Sequence, residues 1–182
     1  MKILVTGSSG LLGSAFKNIL GHEHIFHTRK DADLLDSKST HEYLRHQIQD
    51  NGVDTVIHAA AIVGGLQANL DGNDRFFYEN YKINSNVLNA CFDLKVDNFV
   101  NILSTCIFPH EHITYPLTKE QIDNGPPHPS NSGYAYAKRL GGHQTKILGE
   151  VLGKNWFSVV PTNLYGPNDN FNLRTSHLVA GM

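Results

Sequence analysis

Three glycines at three-residue spacing, Gly7, Gly10 and Gly13, stand directly after one short apolar run and directly before an amphipathic one. Residues 2–6 read as a buried strand. Residues 11–20 read as a helix with Leu11, Leu12, Ala15, Phe16 and Ile19 on one face. Few backbones satisfy a strand, a glycine turn and a helix in such close order. Gly7 permits the tight turn, Gly10 lets backbone N–H groups approach a pyrophosphate, and Gly13 lets the helix pack close to the sheet. A glycine pattern alone is weak; in this context it points to a dinucleotide. Gly7, Gly10, Leu11, Leu12 and Gly13 are therefore expected to face a cofactor.

The rest of the chain repeats the alternation. Further strands are expected at 24–28, 54–60, 98–104 and 156–160, and helices at 37–51, 75–94 and 133–153. Gly141-Gly142 should weaken the middle of the last helix. Residues 64–74 read as a loop. So does the proline-rich stretch 109–132, whose length marks it as functional. The fold class is thus α/β, a doubly wound, mostly parallel sheet of Rossmann type covered on both faces, with ligands at the carboxyl ends of the strands. A dinucleotide-binding domain should occupy residues 1–160.

Composition excludes several classes. Among 182 residues, 40% are hydrophobic and 18% charged, with a net charge of −2. That is globular, and it offers no basic surface for nucleic acid or membrane. No apolar run reaches the roughly 20 residues of a membrane span, and the N-terminus lacks a signal-peptide plan. Two cysteines, Cys91 and Cys106, cannot form a disulfide framework, and a cytoplasmic location is expected. The 11 histidines include His22, His24 and His27, which lack partners at metal spacing; they read as surface or strand residues, and no metal is expected.

At the end of the second strand, an acidic residue would hold a ribose 2′-OH, whereas an arginine would accept a 2′-phosphate. Thr28-Arg29-Lys30 occupies that place. Arg29 is the expected contact and NADP the expected cofactor. Asp33 either reaches the adenine edge or caps the next turn. His58-Ala59-Ala60-Ala61 ends the third strand in small residues, so a cofactor can lie against Ala59 and Ala60. Tyr134 and Lys138, at i and i+4, share a helix face, and a cation beside a phenol favours tyrosinate. Tyr136 points elsewhere. Ser104 ends the fourth strand, where it can hydrogen-bond a carbonyl. By spacing alone, Cys106 reads as a small buried hydrophobe.

A glycine loop, a strand-end serine and Tyr-x-x-x-Lys in this order resemble the extended short-chain dehydrogenase/reductase family. More narrowly, Val63-Gly64-Gly65-Leu66, Leu103-Ser104-Thr105-Cys106-Ile107-Phe108-Pro109, Asn124-Gly125-Pro126-Pro127 and residues 160–171 resemble the GDP-L-fucose synthases. The resemblance implies an NADP-dependent epimerase-reductase acting on GDP-4-keto-6-deoxy-mannose. Ser104, Tyr134 and Lys138 then serve hydride transfer, and Lys138 also contacts the nicotinamide ribose. Cys106 becomes the base and His177 the acid for epimerisation at C3 and C5, and Asn163 holds the sugar-nucleotide. Asn80 is expected to support the active-site backbone. The two long helices imply a homodimer.

Members of that family continue into a substrate domain, whereas this sequence stops at Met182, five residues after His177. Residues 161–182 are therefore read as the start of such a region, in a truncated chain with impaired substrate binding. A non-catalytic NADP-binding or interaction module and a related nucleotide-sugar epimerase or reductase stand as alternatives.

Overall fold

The computed structural model describes residues 1–111, 113–172, 176, 179–180 and 182. Five strands form one sheet: β1 (Lys2–Thr6), β2 (Glu23–Phe26), β3 (Thr55–His58), β4 (Asn98–Ile102) and β5 (Asn155–Val159). Their order is β2-β1-β3-β4-β5 and every pairing is parallel. The strand order reverses between β1 and β3, where Thr6 lies beside His58. The residues that leave these two strands, Gly7 and Ala59, thus flank the crevice where such sheets bind ligands.

Five α-helices connect the strands: α1 (Leu11–Ala15), α2 (Ser37–Arg45), α3 (Leu66–Asp71), α4 (Asn73–Asp93) and α5 (Ser132–Leu152). Helix α1 is shorter than its apolar pattern predicts; it tightens into a 3-10 turn at Phe16–Asn18. The expected loop at 64–74 contains α3, a turn and a half of helix, because Asn69 ties its Nδ2 back to the carbonyls of Gly64 and Gly65. Helix α5 runs unbroken through Gly141, whose missing side chain admits Asn84 and Asn101.

Helices α2, α4 and α5 pack side by side on one face of the sheet. The core lies beneath them, with Leu4, Leu44, Val56, Val87, Leu88 and Phe99 fully buried. Phe99 stacks on Trp156 at 4.8 Å, and the indole donates to Val96 O. Among the described residues the other face carries less cover. Right-handed crossovers send α1 there, and on β5 Trp156 is 8% exposed while Phe157 is 52% exposed. A polar network crosses the core. His58 bridges Thr6 Oγ1 at 2.8 Å and Asn84 Oδ1 at 3.1 Å, and Asn84 donates to Ala137 O. Burial first, and the Lys138 charge second, push the His58 ring down to about 3, so it is neutral here. No described helix is long and apolar enough to cross a membrane.

Candidate functional site

One cavity of about 620 Å³ opens at the carboxyl ends of the strands. The glycine turn forms its floor. Gly7 has φ +70°, and a Cβ on it would stand 2.6 Å from Ala60 Cα. A Cβ on Gly13 would stand 2.3 Å from Gly7 O, so α1 can start here only with glycine. Gly7, Gly10, Leu11, Leu12 and Gly13 line the cavity wall, with Ala59 and Ala60 packed against Gly7.

Arg29 and Asp33 line the far end, whereas Lys30 is absent from the wall. Asp33 Oδ1 accepts from Leu35 N at 3.0 Å, which is the turn-capping alternative. Asp31, unremarked in the sequence, takes both the N–H and the hydroxyl of Thr28 at 2.7 Å and shapes this bend. His27 is no surface histidine: it is 3% exposed and lines the cavity. Its Nε2 meets Ala32 O at 3.0 Å, while Nδ1 is buried without a partner. Burial lowers its basicity. No sequence pattern flags such a residue, because its burial comes from chain folded over the strand end.

At the near end stand Ser104, Cys106, Tyr134 and Lys138, with Asn163 on the loop after β5. Ser104 caps a 3-10 turn, Thr105–Ile107, and its Oγ accepts from Cys106 N at 3.3 Å. Lys138 is 2% exposed and donates to Ile102 O at 2.9 Å; burial brings its ammonium down to about 8. The phenol of Tyr134 departs from expectation. Burial drives it upward, the neighbouring Cys106 adds to the rise, and a hydrogen bond with Ser104 opposes it. The lysine charge, committed to the β4 carbonyl, does not offset this desolvation. Tyr134 is therefore a protonated donor at neutral pH rather than an incipient tyrosinate. Tyr136 is exposed and packs against the Arg139 guanidinium.

Three asparagines hold the site together. Asn80, fully buried, clamps Ile62 through both its N–H and its carbonyl at 2.9 Å, which supports the segment after β3. Asn73 and Asn131 had no sequence signal beyond lying near helix starts. Asn73 Oδ1 accepts from Gly133 N, and Asn131 Nδ2 donates to Cys106 Sγ at 3.0 Å. His177 lies outside the described residues. No cluster of metal-ligating side chains occurs among the described residues.

The wall fits an elongated, polyanionic ligand. Backbone lines its floor at Gly10, whose Cβ position meets no neighbour closer than Gly7 O at 3.4 Å. A guanidinium, that of Arg29, lines the cavity as well. Its volume is of the size that cofactors occupy.

Comparison with known proteins agrees with this geometry. The family model described as "NAD dependent epimerase/dehydratase family" matches residues 3–182. A GDP-L-fucose synthase of Dictyostelium discoideum is 42% identical over 99% of this chain and 57% of its own length. A probable GDP-L-fucose synthase of Drosophila melanogaster is 40% identical over 100% of this chain and 57% of its own. The crystal structure of a GDP-L-fucose synthetase from Naegleria fowleri bound to NADP superposes with a TM-score of 0.85 and 39% identity, covering 99% of this chain and 55% of that one. The chain thus spans a little over half the length of the curated relatives it matches.

Proposed function

Because the chain belongs to the NAD dependent epimerase/dehydratase family, we propose that it acts as an NADP-dependent epimerase-reductase on a GDP-4-keto-6-deoxy-hexose, giving GDP-L-fucose. The observation that carries this reading is one shared cavity. The glycine loop and Arg29 line one part of it, and Ser104, Cys106, Tyr134, Lys138 and Asn163 line the other.

The roles follow from the side chains. The C4 ketone of such a sugar acidifies the hydrogens at C3 and C5. Cys106 removes a proton there, and His177 returns one to the opposite face, since one group cannot serve both faces. NADPH, once bound, would supply the hydride for reduction at C4. Tyr134, kept protonated by burial, gives its proton to the developing alkoxide, and Ser104 shares the charge. Lys138 would hold the nicotinamide ribose, Arg29 the 2′-phosphate, and Asn163 the sugar-nucleotide.

In this reading residues 1–160 are the dinucleotide-binding domain and 161–182 open the substrate-binding region. The exposed Phe77, Tyr78 and Tyr81 of α4 and Tyr136, Leu140 and Ile147 of α5 support pairing of two copies through these helices. Two unpaired cysteines suit a cytoplasmic enzyme.

The test is incubation with NADPH and GDP-4-keto-6-deoxy-mannose in deuterated water. Deuterium entering C3 and C5 together with NADPH consumption is expected. Tight NADPH binding with neither event would instead mark a binding module.

A further inference from the structure

The position of Asn131 is at odds with its use. It immediately precedes α5, where an asparagine ordinarily turns its side-chain oxygen back onto its own helix. Here it makes no such cap. That service comes from Asn73, whose Oδ1 accepts from Gly133 N at 2.7 Å. Relieved of capping, the Asn131 amide reaches the Cys106 sulfur, Nδ2 to Sγ at 3.0 Å. The backbone of Cys106 is held separately through Ser104 Oγ. The amide oxygen of Asn131 is buried with no partner. An acceptor left unsatisfied in this way is costly, and it marks a side chain kept for its donor.

We propose that Asn131 is a positioning residue for Cys106: its Nδ2–H fixes the sulfur in the cavity wall and favours the thiolate. This rests on the reading of Cys106 as the base. An N–H donor bonds an anionic acceptor more strongly than a neutral one, so the contact tightens as the thiol ionises. Other titratable or charged groups lie on the elements packed here. Tyr134 and Lys138 come from α5. Arg139, also from α5, is bound to Ile107 O. His128 precedes Asn131 and bonds Ser130. None of these donates to the sulfur among the described contacts.

The experiment is alkylation of the full chain with iodoacetamide across pH, with the site read by mass spectrometry. Cys91, which is fully buried, provides the unreactive internal reference. Asn131→Ala should raise the pH midpoint of Cys106 alkylation by about one unit. Asn131→Asp, of the same shape, should raise it further, because its carboxylate repels the thiolate. If the alanine variant does not fold, the aspartate variant decides alone, provided its circular dichroism matches the parent. An unchanged midpoint in the folded variants overturns the proposal. A raised midpoint in a chain that washes no deuterium into the sugar would leave the positioning intact and remove the sugar reading. Wash-in with an unmoved midpoint would do the reverse.

Discussion

Asn73 reaches across 60 residues of sequence to cap the helix that carries Tyr134 and Lys138, its side-chain oxygen 2.7 Å from the Gly133 nitrogen. The approach is so close that a Cβ on Gly133 would meet Asn73 O at 1.9 Å. Losing a helix cap costs about 1 kcal/mol. Asn73→Ala should therefore lower unfolding stability by about that much, read by urea titration. Gly133→Ala should cost more, because two backbones must separate. Equal, negligible losses would show that α5 is started by something else.

Tyr134→Phe keeps the ring and removes the proton. Reduction should fall by roughly two to four orders of magnitude, the usual worth of a positioned acid. NADPH affinity, followed by calorimetry, should barely move. Reduction at the parent rate would remove Tyr134 from the chemistry.

Burial holds the Lys138 ammonium at about 8, below its ordinary 10.5. The folded state therefore binds its proton less readily than the unfolded chain does. The penalty is fully present below pH 8 and is relieved as pH rises from about 8 toward 10.5. Lys138→Met should accordingly gain stability over the parent at pH 7 and lose that advantage across this window, while binding NADPH more weakly. Paired denaturation curves at pH 7 and pH 10 check it; a constant difference would refute the assignment.

Arg29 is exposed at the end of β2 and lines the cavity. If it meets the 2′-phosphate, Arg29→Ala should weaken NADPH by about tenfold or more and NADH little, since a charged hydrogen bond is worth roughly 1.5–3 kcal/mol. Titration calorimetry with both cofactors measures the ratio. Equal losses would return the choice of cofactor to other residues.

The parallel sheet and the glycine turn were both legible before any coordinates. Each depends on spacing within a few residues, where strand and helix periods act directly. Helix α3 was not legible, because its anchor is a side chain, Asn69, bonding two glycine carbonyls.

The local pattern by itself determined that the glycine turn, Arg29, Ser104, Tyr134 and Lys138 gather at the carboxyl end of the sheet, where all of them line one cavity. Only the tertiary structure decided their states. Tyr134 is raised rather than lowered because desolvation sums over everything packed around the ring. Asn73, Asn80 and Asn131 divide the work of capping, clamping and holding sulfur because their partners lie 60, 18 and 25 residues away. A short polar side chain bonds whatever the fold brings within 3 Å, and no spacing in the sequence specifies that neighbour.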